Sequence, residues 1–240
     1  MKSKVICLEN VDLEFPKAKG LISSLRGLVG KKETGYQALK DVNLEIQSGE
    51  VFGLIGKNGS GKSTILRIIA GIYPPDNGTC KILGSTSLLA SLGTGFSQHQ
   101  TGVENALLYG SILGHDEVEM RRLLPEIIEF SELGDFINEP IRTYSAGMKA
   151  RLGLAVASAI CPDILLIDEV LGVGDPQFKE KSKQRILNLV KDTATVVIVS
   201  HSFALMTDIC DRIGVVHDGK LQMVGEPTEA IKAYYDLTGR

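Results

Sequence analysis

Residues 56–63 read Gly-Lys-Asn-Gly-Ser-Gly-Lys-Ser, a glycine-rich stretch that ends in a lysine and a serine. The spacing matches Gly-x-x-x-x-Gly-Lys-Ser/Thr, in which successive backbone N–H groups surround the phosphates of a nucleotide. In this pattern Lys62 reaches the β- and γ-phosphate oxygens, and Ser63 offers its hydroxyl to Mg²⁺. A chance match in a chain of this length is on the order of one in a hundred. The predicted ATP-binding residues of this loop are Gly56, Lys57, Asn58, Gly59, Ser60, Gly61, Lys62, Ser63 and Thr64.

The segments on either side of this loop are suited to position it. Residues 50–55 form a short apolar run typical of a buried strand, and residues 63–70 form a helical pattern that Gly71 ends. The sequence therefore predicts a strand, a glycine loop and a helix N-terminus, in that order. The unpaired N–H groups and the positive dipole end of such a helix attract phosphate, so anion binding has a physical cause besides the motif.

A second group suited to phosphate chemistry follows the run Ile-Leu-Leu-Ile at residues 164–167. This run has the length and the continuous apolar character of a strand covered on both faces of a mostly parallel sheet. Side chains at the carboxyl end of such a strand face the ligand crevice. We predict that Asp168 holds Mg²⁺ together with Ser63, and that Glu169 orients or deprotonates the attacking water. An ordinary helix cap is the alternative for the Asp-Glu pair.

The composition of the whole chain indicates which partners and which cellular compartment to expect. The 240 residues carry 26 Lys and Arg against 29 Asp and Glu, a net charge of −3, so we expect no nucleic-acid partner. The four cysteines, at positions 7, 80, 161 and 210, form no Cys-x-x-Cys pair, which favours a reducing cytoplasm over zinc or disulfides. No apolar run is long enough for a membrane span, and we expect the chain to be neither secreted nor membrane-spanning.

The expected organisation is one α/β domain over residues 1–240 with a helical insertion. From about residue 103 to residue 136 the pattern is mostly helical, and it separates the phosphate loop from Asp168. Towards the end of the chain, Asp218 and Gly219 form a hairpin-like turn, and a helix is predicted after Pro227.

Residues 144–148, Tyr-Ser-Ala-Gly-Met, lie between these two motifs and precede a helical pattern. By itself Ser-Ala-Gly is an ordinary helix start. In this position it resembles the signature motif of the ATP-binding cassette (ABC) family, usually Leu-Ser-Gly-Gly-Gln, and the resemblance covers essentially the whole chain. It implies an α/β P-loop NTPase fold of ABC type, with a mostly parallel sheet core, an antiparallel N-terminal β part and a helical subdomain at about residues 101–155.

The resemblance also implies that two copies of the chain form a head-to-tail homodimer. Each ATP then lies between the phosphate loop of one copy and the signature of the other, where Ser145, Ala146 and Gly147 meet the γ-phosphate. His201 matches the family's switch histidine, and Asp175 falls in its dimer-crossing loop. A lone subunit is expected to bind ATP and to hydrolyse it poorly.

Two further stretches resemble one branch of the family. Residues 170–178, Val-Leu-Gly-Val-Gly-Asp-Pro-Gln-Phe, and residues 101–105, Thr-Gly-Val-Glu-Asn, resemble the ATPases that export O-antigen, capsular polysaccharide or teichoic acid. The resemblance implies ATP hydrolysis coupled to export of a lipid-linked glycan, with O-antigen as the first choice. It also implies a separate membrane-spanning permease and a peripheral place on the cytoplasmic side of the cell membrane. We expect no C-terminal carbohydrate-binding domain of the kind that some relatives carry.

Two positions of the family pattern stay open in this sequence. The glutamine that usually contacts Mg²⁺ aligns near Ser91 or Leu92, although Gln98 and Gln100 lie close by. The aromatic residue that stacks on adenine is Tyr36 or Phe15, and we take Tyr36 as the prediction. Residues 91–96, Ser-Leu-Gly-Thr-Gly-Phe, resemble the export branch's variant of the glutamine loop.

An insertion at about residues 16–35 has its own character. It carries five basic side chains against one acidic side chain, a local charge of +4, and apolar residues recur there at helical spacing. Anionic lipid headgroups or the pyrophosphate of a lipid-linked glycan would fit such a segment. The alternative is a short helix that packs its apolar stripe on the ATPase core, weakened by Gly20 and Gly27.

Two alternatives compete with polysaccharide export, the first of which has two forms. One is an ABC ATPase that drives export of another substrate, or a soluble ABC ATPase that works on ribosomes or DNA; the soluble relatives usually fuse two cassettes or insert a long coiled coil. The other is a phosphotransferase built on the same glycine loop, which would need an acceptor-substrate lid and would lack the signature. ADP release without a phosphorylated acceptor would exclude a phosphotransferase.

Overall fold

The structure, a computed structural model, describes residues 3–16, 35–89, 95–160, 162–168, 176–193 and 195–239. Its strands, in chain order, are β1 (Lys4–Phe15), β2 (Tyr36–Gln47), β3 (Val51–Ile55), β4 (Asn77–Ile82), β5 (Thr86–Leu89), β6 (Ile164–Asp168), β7 (Thr195–Val199), β8 (Arg212–His217) and β9 (Lys220–Gly225). Its α-helices are α1 (Lys62–Ile69), α2 (Gly102–Ile112), α3 (Glu117–Ser131), α4 (Ala146–Ala159), α5 (Pro176–Asp192), α6 (Phe203–Ile209) and α7 (Pro227–Thr238).

The chain divides into two compact units. The first unit comprises residues 1–83 and 199–240, and the second unit comprises residues 84–198. The phosphate loop therefore belongs to the first unit, and the signature segment belongs to the second. The insertion predicted at residues 16–35 lies outside the described residues except for its two ends, Pro16 and Gly35.

An antiparallel sheet in the first unit is formed by β1, β2 and β4, with β1 in the centre. In β2 the buried residues Val42, Leu44 and Ile46 alternate with exposed polar residues, as expected for a sheet with one face on the core. This arrangement agrees with the antiparallel N-terminal part that the sequence predicts. It places the start of β2 beside the end of β1, where Tyr36 pairs with Phe15.

The other strands of the first unit lead to the phosphate loop. Strand β3 is parallel to β8, and β8 is antiparallel to β9. The predicted strand and helix around the loop are confirmed as β3 and α1. The predicted turn between β8 and β9 is also confirmed, because Asp218 and Gly219 have φ of 48° and 79°, the positive values that a tight hairpin turn requires. The predicted helix after it is α7, with Pro227 at its start.

In the second unit, short parallel strands combine with a helical region. Strand β5 is parallel to β6, and β7 follows on the other side of β6. The four apolar residues of β6 and all five residues of β7 are buried, which is why these runs are continuous rather than alternating. The predicted helical middle consists of α2, α3, two 3₁₀ turns at Gly134–Asn138 and Ile141–Thr143, and α4. None of the described helices has the length and apolar content needed to span a membrane.

Candidate nucleotide site and signature helix

The phosphate loop connects β3 to α1 through glycines in conformations that other residues rarely adopt. Gly59 and Gly61 have φ of 78° and 111°. Gly61 directly precedes α1, and a Cβ there would meet Leu39 Cδ2 at 2.8 Å and Ala38 O at 3.0 Å. Glycine is therefore required at this position both for its backbone angle and for the close approach of β2. The helix N-terminus that follows presents backbone N–H groups, as phosphate binding needs.

The side chain of Lys62 is buried inside this loop. It is only 6% exposed, and its ammonium donates to the carbonyl oxygens of Gly56 at 2.8 Å and Lys57 at 3.0 Å. A buried ammonium stays charged only when polar or anionic groups surround it. The loop thus holds a positive charge at its centre, where the phosphates of a nucleotide would supply negative charge.

Ser60 contributes a second indication that the loop fits an anion. Ser60 is 4% exposed, and its Oγ has no hydrogen-bond partner among the described residues. A buried hydroxyl without a partner is costly, and a phosphate oxygen would accept from it. The backbone conformation, the buried ammonium and this hydroxyl together fit a nucleotide's phosphate groups.

The turn between β8 and β9 supports the loop from the side. The N–H of Gly219 donates to Ser60 O at 3.0 Å, and Gly219 O accepts from the N–H of Lys40 at 2.8 Å. A Cβ on Gly219 would meet Ala38 O at 2.7 Å, so glycine is needed here as well. The sequence predicts this hairpin but gives no sign that it touches the phosphate loop, because the contact joins residues far apart in the chain.

Both aromatic candidates for the adenine contact lie beside the loop. Phe15 and Tyr36 line one cavity of about 160 Å³, together with Ala38, Gly59, Gly61, Lys62, Ser63 and Thr64. Tyr36 is 58% exposed and its hydroxyl donates to Gly59 O at 3.0 Å, whereas the ring of Phe15 packs edge-on against Tyr73 at 5.5 Å. The larger exposed face of Tyr36 supports it as the stacking residue.

Asp168 is the last residue of β6, after four buried residues, and it is half-buried. The structure thus places this carboxylate at the carboxyl end of a buried strand, as the sequence predicts. Glu169 and Asp175, the predicted catalytic and dimer-crossing residues, lie outside the described residues. Ser91 and Leu92, the aligned positions for the Mg²⁺-contacting glutamine, also lie outside the described residues.

His201 follows the end of β7 and is exposed. Two hydroxyls hold the turn that carries it: Ser200 Oγ accepts from the N–H of Ser202 at 3.1 Å, and Ser202 Oγ caps α6 by accepting from the N–H of Leu205 at 3.4 Å. Because both flanking serines are fixed to backbone groups, the imidazole stands on an ordered strand-to-helix turn.

The signature segment forms the N-terminus of α4. Ser145 is its N-cap, with Oγ accepting from the N–H of Met148 at 3.1 Å, and Ser145 and Ala146 are both exposed. The preceding Tyr144 is buried and its hydroxyl donates to Phe136 O at 2.6 Å. Burial, with a smaller contribution from the nearby charge of Glu139, raises the pKa of Tyr144 to about 12, so this anchor stays protonated at neutral pH.

Gly147, in the first turn of α4, has no packing reason to be glycine among the described residues. A Cβ there would meet only Ser145 Oγ, at an ordinary 3.7 Å. By contrast, a Cβ at Gly110 in α2 would meet the Met120 side chain at 2.4 Å. Because glycine inside a helix costs about 1 kcal/mol relative to alanine, helix stability does not explain Gly147 either.

The two glutamines considered for the Mg²⁺ contact occupy the segment before α2. Gln98 is exposed, and its Oε1 accepts from Lys149 Nζ at 3.3 Å; Gln100 Oε1 is buried and has no hydrogen-bond partner among the described residues. The sequence interpretation missed Lys149, although it directly follows the signature.

The predicted Mg²⁺ site uses only two protein ligands, Ser63 and Asp168. Among the described residues, no group of three or more His, Cys, Asp or Glu side chains is arranged to hold a metal ion. Mg²⁺ is commonly held by one or two protein oxygens, with water and substrate phosphates completing its shell. A serine hydroxyl and a carboxylate, as predicted for Ser63 and Asp168, are oxygen donors of this type.

Known proteins resemble this chain closely enough to give its family. The family model described as ABC transporter matches residues 39–172, more than half of the chain. The O-antigen export system ATP-binding protein RfbB of Klebsiella pneumoniae is 40% identical over 238 residues, covering 96% of this chain and 97% of that protein. The chain therefore belongs to the ABC transporter family.

Other relatives are longer than this chain. The O-antigen export system ATP-binding protein RfbB of Myxococcus xanthus is 44% identical over 214 residues, which cover 88% of this chain but only 49% of that protein. The teichoic acids export ATP-binding protein TagH of Listeria innocua is 41% identical over 236 residues, covering 97% of this chain and 70% of that protein. The chain thus spans about half the length of the Myxococcus relative and about two thirds of the Listeria relative.

A solved structure supports the fold. A dimeric, post-hydrolysis ATP-binding cassette bound to ADP and Pi has a TM-score of 0.71 and 25% identity, and the match covers 92% of this chain and 98% of that chain. The predicted family and the predicted ABC-type fold are confirmed. The names of these relatives also agree with the predicted ATPase that serves polysaccharide export.

Proposed function

We propose that the protein hydrolyses ATP as the nucleotide-binding subunit of a transporter that exports a lipid-linked polysaccharide. The observation that carries the ATP part is the phosphate loop, where a buried Lys62 ammonium and the orphaned Ser60 hydroxyl lie at the N-terminus of α1. The reaction converts ATP and water to ADP and phosphate.

Each of the predicted site residues has its own role in ATP hydrolysis. Lys62 and the loop N–H groups stabilise negative charge on the β- and γ-phosphates, and His201 contacts the γ-phosphate. Ser63 and Asp168 hold Mg²⁺, which when bound neutralises charge on these phosphates. Glu169 accepts the proton of the attacking water, or orients that water for in-line attack.

A second copy of the chain completes the site. Ser145, Ala146 and Gly147 of one copy contact the γ-phosphate that the other copy holds. The unexplained glycine at position 147 and the exposure of Ser145 and Ala146 support this role, because a phosphate that approaches the start of α4 needs open backbone N–H groups. The similarity to a cassette of dimeric structure gives further support.

The cargo is inferred from the relatives. Proteins about 40% identical over most of this chain are named for export of O-antigen or teichoic acids. We assign a lipid-linked glycan, with O-antigen first, as cargo, and a separate membrane-spanning permease as partner. The protein then sits on the cytoplasmic side of the cell membrane, bound through that permease.

Purified protein gives the test of the enzymatic part. Wild-type chain incubated with ATP and Mg²⁺ is expected to release phosphate, with a rate per subunit that rises with subunit concentration because two copies form each site. Glu169→Gln is expected to bind ATP and to dimerise on it while turnover falls to background. Hydrolysis at the wild-type rate in this variant would remove Glu169 from its role.

The same assay separates the competing functions. A phosphotransferase would release ADP only with an acceptor, so phosphate release without one excludes it. A soluble cassette that acts on ribosomes or DNA would not sediment with membranes that contain the permease. Recovery of the chain in the ribosome or DNA fraction instead would favour that alternative.

A further inference from the structure

Asn105, in the first turns of α2, is an unusual side chain for its position. It is a polar side chain that is 0% exposed, and its amide forms hydrogen bonds with backbone groups only. Its Oδ1 accepts from the N–H of Ser97 at 2.7 Å. The two hydrogens of its Nδ2 are shared among three carbonyl oxygens, those of Ser97 at 3.1 Å, Gln100 at 3.1 Å and Thr101 at 2.8 Å. One buried amide thus fixes the whole segment of residues 97–101, which we name the amide-held segment.

The amide-held segment is in turn bonded to the chain just before the signature. The N–H of Arg142 donates to Gln98 O at 3.0 Å, and the N–H of Ile141 donates to Gln100 O at 2.9 Å. Residues 141 and 142 belong to the 3₁₀ turn Ile141–Thr143, which is separated from the N-cap Ser145 by one residue. The signature therefore starts at a point whose position depends on the amide-held segment.

A side-chain contact joins the same two parts beyond the signature. Gln98 Oε1 accepts from Lys149 Nζ at 3.3 Å, and Lys149 lies in the second turn of α4. The amide-held segment thus contacts the chain on both sides of Ser145, Ala146 and Gly147. All these contacts lie within the second unit.

We propose that Asn105 is a positioning residue for ATP hydrolysis, which acts by setting where the start of α4 meets the γ-phosphate held by a second copy of the chain. The inference rests on the proposed function, since the signature needs a nucleotide to meet. Removal of the amide leaves the N–H of Ser97 without its side-chain acceptor and takes one donor from three carbonyl groups, which keep one backbone N–H each. The amide-held segment and the turn bonded to it are then held more loosely.

The test compares five properties of Asn105→Ala with those of wild type. They are nucleotide affinity, thermal unfolding, the turnover number, ATP-dependent dimerisation in a Glu169→Gln background, and amide exchange at Met148. Nucleotide affinity, measured with a fluorescent ATP analogue, is expected to stay within about twofold, because the phosphate loop belongs to the other unit. The turnover number and the ATP-dependent dimer population are expected to fall by about tenfold or more. Amide exchange at Met148, whose N–H is bonded to Ser145 Oγ, is expected to speed up.

Three further variants keep the test decisive. Asn188→Ala removes an exposed amide that bonds only to Gln184 among the described residues, and it is expected to match wild type in every measurement. Gln98→Ala removes only an exposed side chain, and it is expected to lower turnover and dimerisation in the same direction with unfolding unchanged. Lys149→Ala removes the other end of the same contact and is expected to lower turnover and dimerisation by a similar amount. Because Gln98 was also considered for the Mg²⁺ contact and Lys149 was not, agreement between these two variants carries the test if Asn105→Ala does not fold.

Three results would count against the proposal. Wild-type turnover and dimerisation in both Asn105→Ala and Gln98→Ala would overturn it. A parallel loss of nucleotide affinity, stability and turnover would reduce Asn105 to a packing residue and also overturn it. A wild-type chain that neither hydrolyses ATP nor dimerises on it contradicts the proposed function itself, and this inference falls with it.

Discussion

Gly147 is a residue whose identity is not explained by packing among the described residues. Nothing among the described residues requires a glycine there, since a Cβ would make only an ordinary 3.7 Å contact with Ser145 Oγ. Alanine is the better helix former by about 1 kcal/mol. The glycine therefore makes sense if a phosphate from a second copy approaches the helix start.

Gly147→Ala is expected to separate stability from activity. The variant should melt at the same temperature or a few degrees higher, because it removes a glycine from a helix at an open position. Its affinity for ATP should not change, while its turnover number and its ATP-dependent dimerisation should fall. Calorimetry and phosphate-release kinetics measure the two effects. Unchanged turnover would remove Gly147 from the γ-phosphate contact.

A second prediction at the residue scale concerns which of Tyr36 and Phe15 stacks on adenine. Tyr36→Ala is expected to weaken ATP binding several-fold, since base–aromatic stacking contributes about 1–3 kcal/mol. Phe15→Ala, whose ring packs on Tyr73, is expected to lower stability more than affinity. Tyr36→Phe keeps the ring and loses the bond to Gly59 O, so it should bind ATP nearly as wild type does. A larger affinity loss in Phe15→Ala would assign the stacking role to Phe15.

The residues named from the sequence were those whose chemistry demands a fixed type at a fixed spacing. Lys62 and Ser63 follow from the glycine pattern, and Asp168 follows from its place after an apolar run. Asn105 and Gly219 were noted only as parts of a family stretch and of a turn, and their contacts could not be predicted, because each involves backbone groups that only the folded chain brings near. Their side chains, or the lack of one, look ordinary until those contacts are known.

At the scale of elements, the β8–β9 hairpin has a role that its own sequence does not show. In its turn, the N–H of Gly219 donates to Ser60 O, and Gly219 O accepts from the N–H of Lys40. The turn therefore joins β2 to the phosphate loop. Both turn residues have positive φ, and a side chain at Gly219 would collide with Ala38 O. The hairpin therefore limits where the phosphate loop can lie.

Gly219→Ala is expected to raise the KM for ATP several-fold with a smaller change in the turnover number. The new Cβ would meet Ala38 O at 2.7 Å, so the turn must shift and weaken its bond to Ser60. Gly71→Ala is the matched control: its φ of 71° is close to the 79° of Gly219, but nothing lies within 4 Å of its Cβ. Both variants lose stability from backbone strain of about 1–2 kcal/mol. Equal KM values in the two variants would contradict the supporting role of the hairpin.

The elements that the sequence predicted were those with a clear period or a clear stop. The run of β6 and the helix between the phosphate loop and Gly71 carry such signals, and both lie within two residues of their predicted bounds. The register shifts of β1 against β2 and the 3₁₀ turns before the signature were not predicted. Register and short turns depend on tertiary packing and on backbone bonds such as those of residues 97–101, which leave no periodic pattern.

At the scale of the whole molecule, the residues with proposed roles are distributed over both units. The phosphate loop and His201 belong to the first unit, and the signature and Asp168 belong to the second. One chain holds one phosphate loop and one signature segment, so under the proposed function a head-to-tail pair of identical chains would provide two equivalent composite sites.

The most direct test of the export assignment is the location of glycan in the native host when the wild-type protein is replaced by Glu169→Gln. We predict that surface polysaccharide is lost while lipid-linked glycan accumulates inside the cell, because the glycan is made but not moved. Replacement by Asn188→Ala is expected to leave both pools as in wild type. Normal surface polysaccharide in a Glu169→Gln host whose purified protein has lost ATP hydrolysis would contradict polysaccharide export.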